Sequence, residues 1–342
     1  NQSRAPFHVR NKISREIERE IIKMRKQYPA IGAVKLQRMM QQQGYTGLPS
    51  TKTFNNVFKR NELITHSASQ AATPCQRFEK SEPNEMWQMD FKGHFALNNG
   101  VRCHPLNMLD DYSRYCLCSE ALENETLESV WPVMLRVFRE YGLPRAILCD
   151  NGNPWGVVQK QGFTLCEVLL MDLGVLIIHG RALHPQTQGK QERFNGTLER
   201  ELLKSGTWDN MERMQAALTE YRTFYNESRP HHALKLETPS KRYCPSKQDM
   251  PDKIKPWEYE RKYQVRRVQN KGYFSYKGKS YFLSEAFANR DIGIRASHKP
   301  DCITLEYRAF KIARFNLKAQ EYEYRRGYLR SGDPREKQDS TT

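Results

Sequence analysis

The sequence predicts a chain of three folded parts: a small helical domain, a mixed α/β core and a small all-β domain. Three observations predict it. Apolar residues recur at helical spacing near the start, then alternate and mix with helical stretches, and return to short alternating runs after Pro256. Charge is divided in the same way: the net +16 splits into +8 over residues 1–85, −1 over 86–250 and +9 over 251–342. Finally, 342 residues exceed what a single core of roughly 250–300 residues usually holds.

Residues 13–28 place Ile17, Ile21, Ile22 and Met24 on one helical face, with Ser14 as N-cap and Pro29 as terminator. A second short helix carries Leu36, Met39 and Met40 and ends at Gly44. Ser50 or Thr51 caps a third, Thr53 to Asn61, with Phe54, Val57 and Phe58 inward. Three short helices with tight turns match a helix-turn-helix, whose last helix can enter a DNA major groove. Lys52, Asn55, Asn56, Lys59 and Arg60 are its available polar contacts; a plain bundle with a solvated basic face is the alternative. The Ser-, Thr-, Ala- and Pro-rich stretch 64–84 reads as a linker.

In the middle part, Trp87, Met89 and Phe91 alternate with Gln88, Asp90 and Lys92, the period of a strand with one buried face. Pro105–Leu109 and Tyr115–Cys118 are further strands around the polar turn Asp110-Asp111-Tyr112-Ser113. A helix follows over Leu127–Tyr141, then a buried strand Arg145–Cys149, a helix Thr164–Leu173 and a strand Val175–Ile178. Helices continue over Gln186–Lys204 and Asn210–Asn226, and Pro230–Tyr243 is irregular. Six short strands then run from Tyr263 to Arg314, with a hairpin turn at Lys277-Gly278, and are expected to close as a small β-barrel. The domain boundaries are 1–63, 85–228 and 257–330, with a linker at 64–84, a connector at 229–256 and a disordered tail at 331–342.

Composition narrows the partners. Eight cysteines without CxxC pairs read as reduced thiols of a cytoplasmic protein, and no apolar run approaches membrane-spanning length. Two basic flanks around a near-neutral middle suit a polyanion gripped at both ends.

Three acidic residues in separate motifs carry the chemistry. Asp90 lies in Trp87-Gln88-Met89-Asp90-Phe91, Asp150 closes Ala146-Ile147-Leu148-Cys149, and Glu192 lies in the run His184–Phe194. Carboxylate oxygens that converge suit Mg²⁺, and a pair of such ions promotes in-line displacement at a phosphodiester. On the helix around Glu192, residues Gln188, Glu192, Asn195 and Glu199 form one stripe. Lys190, Arg193, Thr197, Arg200 and Lys204 form a second, and Phe194, Leu198 and Leu202 a third. One face can meet a sheet, one a cation and one phosphates. Asp110 and Asp111 are rival carboxylates, but Asp-Asp-Tyr-Ser favours a turn capped by its own side chains. His94, His184, His231 and His232 are further polar candidates for DNA contact or packing.

The chain resembles bacterial insertion-sequence transposases of the DDE superfamily, whose ribonuclease-H-like core is shared with retroviral integrases. The resemblance rests on Pro83–Gly93, Leu109–Tyr115, Tyr141–Pro144, Asp150–Gly152, His184–Leu198 and Asn226–Pro239. It implies a mixed five-stranded sheet with Asp90 on the first strand, Asp150 after the fourth and Glu192 on the helix beyond the fifth, all three catalytic and metal-ligating. It implies two Mg²⁺ ions, with Mn²⁺ as a substitute. The implied reaction is cleavage at the ends of a mobile element, freeing a 3′-OH that attacks target DNA. The implied partners are double-stranded terminal-repeat and target DNA, bound by a homodimer or homotetramer in the bacterial nucleoid, with a further DNA-binding segment upstream. Two departures stand out. The 41 residues between Asp150 and Glu192 exceed the usual spacing, which points to an insertion at Asn153–Gly162. The positions one and two turns after the glutamate, basic in integrases, are Gly196 and Glu199, which leaves phosphate contact to Lys190, Arg193 and Arg200. An inactive DNA-binding regulator and a simple metal-dependent nuclease are the alternative functions.

Overall fold

The computed structural model describes residues 13–64, 79–156, 162–180, 189–204 and 206–324. Most of the expected linker, the tail, part of the expected insertion and the whole His184–Gln188 run fall outside them.

Helices α1 (Arg15–Gln27), α2 (Ala33–Gln42) and α3 (Thr51–Arg60) open the chain. Ser14 and Ser50 cap α1 and α3 by accepting from the amides of Ile17 and Thr53. Glu16 and Glu18 open α1 and Arg25 and Lys26 close it, the arrangement the helix dipole favours. Ile21, Leu36, Met40, Phe54 and Val57 are fully buried between the three helices, so each amphipathic stripe finds the other two. Lys52, Asn55, Asn56, Lys59 and Arg60 all lie exposed on α3, and Arg60 pairs with Glu18.

The central sheet comprises β1 (Trp87–Phe91), β2 (Phe95–Ala96), β3 (Arg102–Asp110), β4 (Cys116–Leu122), β5 (Ala146–Cys149) and β6 (Leu176–His179), joined by α4 (Leu127–Tyr141) and α5 (Leu165–Asp172). β3 pairs antiparallel with β4 and β1, and β1 continues parallel to β5 and then β6; the short β2 adds to β3. β1 is central, so Gln88 is buried along with Trp87 and Met89; the single buried face read from its alternation is in fact two. α6 (Gly189–Leu198), a π-helical turn Glu199–Leu203 and α7 (Met211–Glu227) follow. Phe194 and Leu198 of α6 pack with Met214, Leu218 and Tyr225 of α7 and with Leu109 and Cys116 of the sheet, so the apolar stripe of α6 faces the core as its spacing predicts.

The C-terminal strands β7 (Gln264–Arg267), β8 (Tyr273–Tyr276), β9 (Lys279–Phe282), β10 (Asp291–Ala296), β11 (Cys302–Tyr307), β12 (Phe310–Asn316) and β13 (Glu321–Tyr324) number one more than expected. They form an antiparallel sheet in the order β13-β12-β11-β10-β7 beside a separate β8-β9 hairpin. Among the described residues the ladder does not run continuously from β7 to β8.

Both flanks dock on the core. Tyr28 stacks on Phe224 of α7 at 5.0 Å between ring centroids, and Arg38 of α2 bonds Glu237 at 2.6 Å. On the other side Phe163 meets Phe287 edge-on at 5.0 Å. Nearby, the last residue of α5, Asp172, accepts from Arg308 at 3.0 Å, from Arg290 at 3.3 Å and from the Tyr307 hydroxyl. Its side chain is 8% exposed, so removing it strands two guanidiniums in a largely dry contact. Breaking such a buried network costs about 3 kcal/mol. Asp172→Ala is therefore expected to lower the thermal midpoint and to expose the segment after Pro256 to limited proteolysis ahead of the core.

Candidate active site

Register brings the first two acids together. β1 and β5 pair Trp87 with Ile147 and Gln88 with Leu148. Continuing that offset sets Asp90 level with Asp150, and level residues of parallel neighbours point to the same face. Asp90 is partly buried on β1, while Asp150 is exposed just beyond the carboxyl end of β5, where α/β sheets place their ligands. Glu192 is exposed in the first turn of α6.

Electrostatics register the same convergence. The Asp90 carboxyl is pushed up to about 6, first by burial and next by the negative charge of Asp150, with Glu192 adding a smaller push; a hydrogen bond from Asn195 opposes them. Asn195 Nδ2 donates to Asp90 Oδ2 at 2.9 Å, and its own carbonyl accepts from Asn107 at 3.0 Å. Asn107 in turn accepts from Ser119 at 2.7 Å. This chain of neutral groups runs from α6 across β3 to β4 and fixes Asp90 without supplying a counter-charge. On β5, the Asp150 Oδ1 accepts from the Gly152 amide at 3.0 Å and the Trp155 indole at 2.6 Å.

The donor set fits a hard divalent cation: three carboxylates, one of them held against its own ionisation by burial and by the other two. Among the described residues no three His, Cys, Asp or Glu side chains are already gathered closely enough to cage an ion. The Asp90 and Asp150 oxygens accept from Asn195 and Trp155.

The basic candidates divide. Arg193 on α6 and Arg200 in the π-helical turn that follows it are exposed, and Arg200 donates to Thr197 at 3.3 Å. Lys190 is engaged inward: its ammonium bonds the buried Asp111 carboxylate at 2.6 Å. A phosphate contact by Lys190 would have to break that pair. Asp111 also accepts from Gln88 at 2.7 Å and from the Lys80 amide at 2.8 Å. Asp110 accepts from Ser113 through both amide and hydroxyl, at 2.8 and 2.6 Å, and from the Asn84 amide at 2.8 Å. Asp110 thus caps the β3–β4 turn, as the Asp-Asp-Tyr-Ser setting predicts, whereas Asp111 turns away from it to Gln88, Lys80 and Lys190. His231 is buried and donates from Nε2 to the Tyr225 carbonyl at 3.3 Å; burial, then Arg229 and Lys35, hold it down at about 3, so it is a neutral packing group. His94 meets Arg102 at 2.5 Å.

Lys35 is the residue that sequence reading passed over. Burial and the nearby charges of Arg229, Arg200 and Arg193 push its ammonium down to about 8, so α2 adds a cation to the basic side of α6. A lone lysine in the middle of a helix carries no signal for this, because its neighbours come from another domain.

Two matches to family models cover the core: an integrase core domain over residues 80–185 and a second integrase core domain over residues 173–239. The chain is 28% identical over 158 residues to an uncharacterized 31.7 kDa protein of insertion element IS407 from Burkholderia multivorans, an alignment spanning 46% of this chain and 54% of that protein. It is 31% identical over 128 residues to the Gag-Pro-Pol polyprotein of Mason-Pfizer monkey virus, which covers 37% of this chain and 7% of the polyprotein. The chain therefore spans about half the first relative and a small part of the second. Among solved structures, the simian T-cell lymphotropic virus intasome gives a TM-score of 0.42 at 16% identity, covering 91% of this chain and 98% of that one. The catalytic core of BIV integrase gives 0.36 at 22% identity, covering 46% and 92%.

The raised Asp90 value makes a prediction whose sign is fixed. A carboxyl held at about 6 in the fold and near 3.8 unfolded favours folding below pH 4, and that advantage is lost as pH rises through 6. Asp90→Asn should therefore stabilise the metal-free protein at pH 7.5, by about 3 kcal/mol at most. The gain should vanish near pH 4 in thermal melts recorded with chelator present.

Proposed function

We propose that the protein is a DNA transposase that cleaves at element ends and joins the freed 3′-OH to target DNA, a reading supported by the integrase core matches over residues 80–185 and 173–239 and by the insertion-element relative. The observation that carries this reading is the level placement of Asp90 with Asp150 across β1 and β5, with the charge of Glu192 felt at the same carboxyl.

In this reading Asp90, Asp150 and Glu192 hold two Mg²⁺ ions, or Mn²⁺ in their place. When bound, the ions draw charge from the scissile phosphate and lower the cost of the attacking and leaving oxyanions. The protein supplies the rest. Asn195 aims the Asp90 oxygen through its 2.9 Å bond, and its tie to Asn107 links that aim to the sheet. The packing of Phe194 and Leu198 fixes the phase of α6, which sends Glu192 outward toward the same end of the sheet. Arg193 on α6 and Arg200 in the π-helical turn after it are exposed and take the phosphates flanking the cut. Water attacks first to free the 3′-OH, and that hydroxyl then takes the place of the water. Neither step calls for a covalent enzyme intermediate.

The flanks complete the DNA path. We assign α1–α3 as a helix-turn-helix with α3 as the reading helix, since Lys52, Asn55, Asn56, Lys59 and Arg60 are all exposed on it. The β-rich part, +9 from residue 251 onward, is assigned to backbone binding. Synapsis of two ends by a dimer or tetramer follows from the reaction, which must act on both ends of one element. No helix among the described residues is long and apolar enough to cross a membrane.

The test is joining of a labelled terminal-repeat oligonucleotide to supercoiled plasmid in Mg²⁺. Asp90→Asn, Asp150→Asn and Glu192→Gln should each lower joining at least about 100-fold, the scale on which electrostatic groups at a reacting phosphate act. Undiminished joining in any of them would remove that residue from the site. Cleavage without joined products in the wild-type protein would favour a simple nuclease.

A further inference from the structure

The segment after Asp150 is folded back on itself. The Gly156 amide donates to the Gly152 carbonyl at 2.7 Å, and a Cβ at Gly156 would lie 2.3 Å from the backbone carbonyl of Asn151. Only glycine permits so close a return. The fold-back brings the Trp155 side chain under the strand ends, where it is 1% exposed. Thr164 Oγ1 closes the far side by donating to the Trp155 carbonyl at 3.4 Å.

Buried there, the indole makes two contacts that join the two strands of the site. Its Nε1–H donates to Asp150 Oδ1 at 2.6 Å, and its ring stacks on Phe91 with centroids 5.3 Å apart and planes 14° from parallel. Phe91 directly follows Asp90 in the chain. One side chain therefore grips the Asp150 carboxylate and the residue next to Asp90 at once. Ordinary core packing would account for the stack but not for the N–H, which could have met any backbone carbonyl. Together with the Gly152 amide, the indole occupies Oδ1 and turns the carboxylate, while Oδ2 takes no hydrogen bond among the described residues.

We propose that Trp155 is a positioning residue that sets the orientation of Asp150 and its separation from Asp90, holding Oδ1 so that Oδ2 is presented to a divalent cation. The proposal rests on the reading of Asp90 and Asp150 as ligands. Outer hydrogen-bond partners of this kind change metal affinity by about 10–100-fold when removed.

Trp155→Phe keeps the stacking ring and deletes only the N–H, so it separates positioning from packing. Free Mn²⁺, followed by electron paramagnetic resonance during titration of the full chain, gives the affinity without any turnover. Trp155→Phe is expected to bind about 10–100-fold more weakly than wild type, with Asp150→Asn at least as weak. Wild-type affinity in a folded Trp155→Phe overturns the proposal and leaves the proposed function standing. No Mn²⁺ binding by the wild-type protein overturns both. A second measurement needs no variant to fold: among the five indole N–H signals of ¹⁵N-tryptophan-labelled wild-type protein, one should shift as Mg²⁺ saturates. Five unmoved signals at saturation overturn the proposal.

Discussion

The parallel register between β1 and β5 is the constraint on which the rest of the structure depends. An offset that pairs Trp87 with Ile147 carries Asp90 to the level of Asp150, and a slip of one residue would turn one of them to the opposite face. That register is held from both sides. β1 is tied antiparallel to β3 over five residue pairs, and β5 is tied to β6 over four. The apolar side chains of Trp87, Met89, Ile147 and Leu148 fill the layers above and below. Core burial therefore fixes the separation of two charges that would otherwise move apart.

Burial and that forced proximity together have a cost, visible in Asp90 at about 6. The fold meets it with neutral donors instead of a lysine or arginine: Asn195 at Asp90, and Trp155 and Gly152 at Asp150. A cationic side chain would have stabilised the metal-free protein and competed with a cation for the same oxygens. Two other buried acids are paired with cationic side chains instead. The buried Asp111, only one strand away, is given Lys190, and the buried Asp172 is given Arg290 and Arg308.

The same contrast explains what could be read in the sequence. The strand carrying Asp90, the strand end carrying Asp150 and the three-sided helix carrying Glu192 were legible, because alternation and 3.6-residue spacing record which face is buried. The capped turn at Asp110–Ser113 was legible because its bonds are local, spanning three residues. Lys190 was not. Its helical stripe places it with Arg193 and Arg200, but its partner lies 79 residues away, and periodicity assigns a face without naming what meets it. Lys35 was hidden for the same reason, and the β-barrel expectation met a sheet and a hairpin because short strands announce themselves without announcing their pairing.

By itself, then, the sequence recorded the succession of helical, mixed and β-rich segments and singled out three acids whose chemistry suits a divalent cation, since composition, local period and motif are properties of neighbouring residues. Tertiary structure alone decided that Asp90 and Asp150 stand level, that Asn195 and Trp155 aim them, and that Lys190 faces inward. Those outcomes depend on strand register and on contacts between distant segments, which are set by how whole layers pack and are written in no single stretch of chain.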